Sequence, residues 1–113
     1  MKSKITTHIL DTEKGKPANG VEVQLDYEEG GNWQQIAKSC TDDDGRLMSW
    51  LENESLKEGK YKITFFVESY LANQSRETFY PEVSIQFFVK DLEQHYHVPL
   101  LLNAHGYSTY RGS

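Results

Sequence analysis

From Val21 to Glu28 the chain reads Val-Glu-Val-Gln-Leu-Asp-Tyr-Glu, apolar and polar side chains alternating without a break. A period of two is the signature of a strand with one dry and one wet face, and it is incompatible with a helix stripe. The pattern returns in 60–67, where Tyr61, Ile63, Phe65 and Val67 share a side, and in 82–90, with Val83, Ile85, Phe87 and Val89 inward. It returns again in 95–102, where Tyr96, Val98, Leu100 and Leu102 oppose His95, His97, Pro99 and Leu101. Residues 5–12, 33–41 (with Trp33, Ile36, Ala37 and Cys40 as apolar members) and the short Arg46-Leu47-Met48 complete the strand candidates, and turn formers at 11–20, 29–32, 42–45 and 91–94 divide them. Only 68–74 has helical spacing, with Leu71 and Ala72 to pack and Ser69 as the expected cap. Seven or eight short strands with one inserted helix predict an all-β sandwich of two antiparallel sheets, a single domain over residues 1–113.

Composition narrows the partners. A net charge of −5 leaves no electrostatic footprint for nucleic acid and no polybasic surface for a membrane, so an anionic ligand must be held by local cations. The longest apolar stretch is only that of Pro99 to Leu102 with Val98 before it, and the start, Met1 to His8, has no hydrophobic run behind its lysines. One cysteine, Cys40, allows no intrachain disulfide and reads as a half-buried strand residue in a reducing compartment. The expectation is a cytoplasmic protein.

The chemistry collects at strand positions and at the chain end. Tyr107 to Ser113 has strand character up to the final carboxylate, with Tyr107, Thr109 and Arg111 on one face and Ser108, Tyr110 and Gly112 on the other. His8 sits mid-strand, His95 and His97 project together from one strand face, and Arg46 leaves the Asp42-Asp43-Asp44-Gly45 turn at the head of a short strand. The acidic turn lacks the twelve-residue ligand pattern of an EF-hand, so it reads as a turn and not a calcium loop. His8, His95 and His97 could hold zinc in an open three-histidine site. Arg46 and Arg111 would repel a cation in the same pocket, and their planar donor forks suit an oxygen-rich organic substrate better.

Several motifs, in order along nearly the whole chain, resemble one family. They are Leu10-Asp11-Thr12 with Gly15-Lys16-Pro17-Ala18 and Gly20-Val21, then Thr41 to Arg46, Phe79-Tyr80-Pro81, His95 to Leu101, and the terminal Tyr110-Arg111-Gly112-Ser113. Together they resemble the 5-hydroxyisourate hydrolases, the transthyretin-related enzymes of urate breakdown; the final tetrapeptide is the most specific part, since the hormone-carrying transthyretins lack it. The chain departs from the family at Asn103-Ala104-His105, where many members carry Ser-Pro and an aromatic residue.

The resemblance implies a transthyretin-like sandwich of two antiparallel four-stranded sheets with one short helix, assembled as a homotetramer whose sites lie in a channel between dimers. It implies metal-independent hydrolysis, with no cofactor, of the six-membered ring of 5-hydroxyisourate to 2-oxo-4-hydroxy-4-carboxy-5-ureidoimidazoline. By the same resemblance the catalytic set is His8, Arg46, His97 and Ser113, and substrate is bound by His8, Arg46, Tyr110, Arg111 and Gly112. His97 or His8 is the expected general base, and the residues leave open which. Two rival expectations are a transthyretin-like carrier of an apolar aromatic ligand, which would need apolar residues in place of the histidines and arginines, and a structural or adhesive sandwich module.

Overall fold

The computed structural model describes residues 3–51 and 55–112. Its elements are β1 (Ile5–Asp11), β2 (Lys16–Pro17), β3 (Glu22–Glu29), β4 (Asn32–Cys40), β5 (Arg46–Leu47), β6 (Gly59–Phe66), α1 (Val67–Ala72), β7 (Val83–Val89), β8 (Tyr96–Leu102) and β9 (Tyr107–Thr109). One sheet runs β4-β3-β6-β7, antiparallel throughout. The other runs β2-β1-β8-β9, with β5 also paired to β1. The two-residue strands β2 and β5 bring this sheet to five strands.

Most of the inward sets read from alternation are buried, with Ile85 and Phe87 only partly so and Val67 falling in α1. Val23 and Leu25, Tyr61, Ile63 and Phe65, Val83 and Val89, and Tyr96, Val98, Leu100 and Leu102 meet Ile5 and Ile9 in a single core. Fully burying each such side chain is worth about 1.5–3 kcal/mol. In β4 the adjacent apolar pair Ile36-Ala37 breaks a strict alternation, and a bulge accounts for it. Leu25 pairs with Ala37 while Asp26 pairs with Gln35, so Ile36 is the extra residue.

Three details differ from the sequence reading. The helix starts one residue after β6, with Phe66 at its N-cap position and no side-chain cap, so Ser69 lies inside the helix and caps nothing. Cys40 is exposed at the end of an edge strand. The pair β1–β8 is parallel, from Ile5 opposite Tyr96 to Asp11 opposite Leu102. Parallel pairing belongs in the middle of a covered sheet, and here it lies between β2 and β9.

Candidate active site

Strand β5 is delivered by the acidic turn. The Asp42 carboxylate accepts hydrogen bonds from the backbone N–H groups of Asp44 and Arg46, each at 2.9 Å. Gly45 adopts φ +70°, and a Cβ there would lie 2.6 Å from the Ile9 carbonyl oxygen. Only glycine fits both constraints, and the resulting close approach lets Ile9 N–H bond the Gly45 carbonyl at 2.8 Å. The consequence is a register in which Arg46 pairs with His8.

The parallel pairing adds the histidines. Thr6 lies opposite His97 and His8 opposite Pro99, so Thr6, His8, Arg46, His97 and Pro99 share the outer face of the sheet. His95 belongs to the same alternation, and its ring lies nearly parallel to that of His97, at 17° with centroids 6.3 Å apart. The fully buried Thr6 hydroxyl stands 2.7 Å from His97 Nδ1 and 3.1 Å from His95 Nε2. Each of these two imidazoles thus commits a nitrogen to Thr6. Among the described residues no three His, Cys, Asp or Glu side chains gather to hold a metal ion.

The His8 pKa is pushed below its ordinary 6.5, first by burial and second by the Arg46 guanidinium. A hydrogen bond to the Asp44 backbone and the Asp42 and Asp44 carboxylates partly offset this. His8 is therefore neutral near pH 7.

The chain end reaches the same face through one residue. Gly112 bridges to His97, its N–H donating to the His97 carbonyl at 2.8 Å. Its backbone packs so tightly that an added Cβ would lie 2.7 Å from His97 Cδ2 and 3.3 Å from Pro99 Cγ. Arg111 faces the other way. Its guanidinium lies 4.4 Å over the Tyr96 ring and donates to Gln94 Oε1 and the His95 carbonyl at 3.0 and 3.1 Å. Together with Tyr110 it borders a largely apolar cavity of about 220 Å³ beside Phe87, Phe88 and Val98. Within one chain, then, His8, Arg46, His97 and Gly112 come together, whereas Tyr110 and Arg111 sit around the edge from them. Ser113 lies outside the described residues, as does part of the polar 51–59 segment.

Two features were missed in the sequence. Thr6 is one; its signal was available, since it stands two residues before His8 on the same strand face. The other is a buried ion cluster at the end of β1, where Asp11, with no exposed surface, accepts a bidentate pair of bonds from Arg76 at 2.5 and 3.0 Å and one from the Tyr70 hydroxyl at 2.8 Å. Arg76 also pairs with Glu13, whose carboxylate accepts from Ala104 N–H at 3.1 Å. The cluster ties β1 to the helix and to the β8–β9 turn. That turn, at the departure Asn103-Ala104-His105, is closed by the Asn103 side chain, which accepts from His105 N–H at 2.9 Å, and by Asn103 N–H to the Gly106 carbonyl at 3.0 Å.

Comparison with known proteins gives the chain its family. The model of the HIUase/Transthyretin family matches residues 5–112. The chain belongs to this family. A 5-hydroxyisourate hydrolase of Halalkalibacterium halodurans is 44% identical, with the whole of both chains covered. The solved 5-hydroxyisourate hydrolase of Klebsiella pneumoniae superposes with a TM-score of 0.85 at 34% identity, over 96% of this chain and 97% of that one. Sea bream transthyretin, solved in complex with thyroxine, gives 0.92 at 28% identity, over 97% and 95%. Within the HIUase/Transthyretin family the backbone therefore does not separate the hydrolase from the thyroxine-bound transthyretin. The side chains on the outer face of the β1–β8 pair have to.

Proposed function

We propose that this outer face opens the six-membered ring of 5-hydroxyisourate by adding water to an amide carbonyl, with release of 2-oxo-4-hydroxy-4-carboxy-5-ureidoimidazoline. The observation that carries the reading is the in-register placement of His8, Arg46, His97 and Gly112 on one sheet face. It is polar chemistry where a carrier of apolar ligands would need an apolar wall. The activity is that of a hydrolase, in agreement with the named relatives.

His97 takes a proton from the attacking water, since imidazole can accept and return a proton near neutrality. Arg46 presents its planar fork to the substrate oxygens and stabilises the oxyanion that forms, a contribution commonly worth about 3–4 kcal/mol per donor. His8, neutral beside that guanidinium, supplies hydrogen bonds without adding a second positive charge. Gly112 holds the tail against His97, and Ser113, Tyr110 and Arg111 complete the catalytic and binding set in the assembled protein.

That assembly is a homotetramer with sites between dimers, supported by the relation to the HIUase/Transthyretin family. The exposed single thiol of Cys40 suits a reducing compartment, and we place the protein in the cytoplasm. The test is to generate 5-hydroxyisourate with a uricase and follow its ultraviolet decay with and without the protein. Acceleration is expected; binding without any acceleration would overturn the reading in favour of a carrier.

A further inference from the structure

We infer that Thr6 and His95 form a proton relay behind His97, in which the Thr6 hydroxyl fixes the tautomers of both rings and passes on the proton that the reaction delivers. The inference rests on His97 as the general base. Its own observation is separate: one fully buried hydroxyl lies within hydrogen-bond distance of two imidazole nitrogens, His97 Nδ1 at 2.7 Å and His95 Nε2 at 3.1 Å.

A hydroxyl carries one proton and two acceptor lone pairs. Between two neutral imidazoles it donates to one and accepts from the other, so the tautomers are linked. In the first arrangement His97 carries its proton on Nδ1 and gives it to Thr6, while Thr6 gives its own to His95 Nε2. In the second both bonds reverse. Only the first leaves His97 with a lone pair on Nε2. That nitrogen adjoins Cδ2, the ring atom against which Gly112 is packed. The base is then aimed at the chain-terminal side of the ring, and its Nδ1 is anchored in the sheet.

The proton count closes in this arrangement. Water gives a proton to His97 Nε2 as its oxygen bonds to the substrate carbonyl carbon. The Nδ1 proton of His97 crosses to Thr6 Oγ1, and the Thr6 proton crosses to His95 Nε2. One proton has entered, and His97 is neutral again with its proton on Nε2. The charge now sits on His95, two residues before His97 and just ahead of β8. The same Nε2–H is placed to protonate the departing ring nitrogen, after which the relay runs back and His95 returns to neutral.

Cationic groups lie towards both ends of the relay. His8 and Arg46 pair on the side of Thr6 that leads away from His95. Arg111 contacts the His95 backbone carbonyl, but its guanidinium is held over Tyr96, whose ring is on the opposite face of the strand. Moving the charge from His97 to His95 takes it away from the Arg46 guanidinium.

The test begins with the unaltered protein. Imidazole 15N–1H correlation spectra at a pH where both rings are neutral should show His97 protonated on Nδ1 and unprotonated on Nε2, with His95 likewise unprotonated on Nε2. A His97 protonated on Nε2 in the resting protein overturns the relay. Thr6→Val keeps the shape and removes the hydroxyl, and should lower kcat about 10- to 100-fold, by analogy with losing the partner that orients a metal-bound imidazole, with KM little changed. Thr6→Ser should return kcat to within a few-fold of the unaltered protein and restore the tautomers. If His97→Gln abolishes turnover while Thr6→Val alters neither kcat nor the tautomers, the relay fails and His97 stands. If His97→Gln is itself without effect, it is the catalytic reading that has failed.

Discussion

Gly112→Ala asks the most of the structure for the smallest change. The new methyl would lie 2.7 Å from His97 Cδ2 and 3.3 Å from Pro99 Cγ, against about 3.5–4.0 Å for carbon atoms in comfortable contact. Roughly 1 Å must open between the tail and the imidazole. The ring cannot retreat into the sheet, because its Nδ1 is bonded at 2.7 Å to a buried Thr6. Either it leaves that bond or the tail lifts and the 2.8 Å bond from Gly112 N–H to the His97 carbonyl is lost. A displacement of about 1 Å between catalytic groups costs on the order of 100-fold in rate.

Stability should hardly move. Losing one hydrogen bond costs about 0.5–1.5 kcal/mol, and replacing glycine narrows the unfolded ensemble by about 0.4–1 kcal/mol in the opposite sense. The assay is kcat/KM for 5-hydroxyisourate decay beside a thermal melt. Gly106→Ala is the control, since a Cβ there meets nothing nearer than Asn103 Oδ1 at 3.8 Å, and it should behave like the parent. A Gly112→Ala protein with kcat/KM within twofold of the parent would refute the packing argument.

Four further perturbations probe the rest of the site and its support. Arg46→Lys should lose most activity, because a point charge does not reproduce the planar fork, and unchanged kinetics would remove Arg46 from the site. By NMR titration His8 should have its midpoint below 6.5; Arg46→Gln should raise it without restoring it fully, because burial is the larger cause. Since the folded pKa of His8 is the lower one, its contribution to stability is present above pH 6.5 and lost as pH falls through the folded value; a His8 midpoint above 6.5 in the parent contradicts this. Deleting residues 110–113 should abolish turnover while far-ultraviolet circular dichroism stays sandwich-like, and a fully active truncation would clear the tail of any role. Arg76→Ala leaves the Asp11 carboxylate buried and uncompensated, which should cost about 3–5 kcal/mol and appear as a lower denaturation midpoint. Burial pushes the Asp11 carboxyl up, but the Arg76 and Tyr70 hydrogen bonds outweigh it and hold it below 3.8. The stabilisation is thus complete above that pH and fades in stronger acid, and an Arg76→Ala protein as stable as the parent at pH 7 would contradict the pairing.

Alternation along the chain determined which side of each strand is dry. It put Tyr61, Ile63 and Phe65 into the core, set His95 and His97 on one face, and already separated Arg111 from Gly112, because neighbouring strand residues point opposite ways. Short-range rules served for the Asp42–Gly45 turn as well, where one carboxylate and one glycine fix the geometry.

Which strands become neighbours was decided only by the folded structure. A period of two names a face but says nothing about pairing partner, direction or register. The parallel match of β1 with β8 joins Thr6 to His97 across 91 residues, and β5 docks on β1 to set Arg46 against His8. The Asp11–Arg76 cluster spans 65 residues in the same way. Local propensity also misplaced the cap at Ser69, since the helix issues directly from β6 and Glu68 N–H bonds the Pro81 carbonyl at 3.1 Å. The candidate residues other than Thr6 could be named from the resemblance the sequence carries; which of them meet is a property of sheet register, which is settled by burial of the whole core at once.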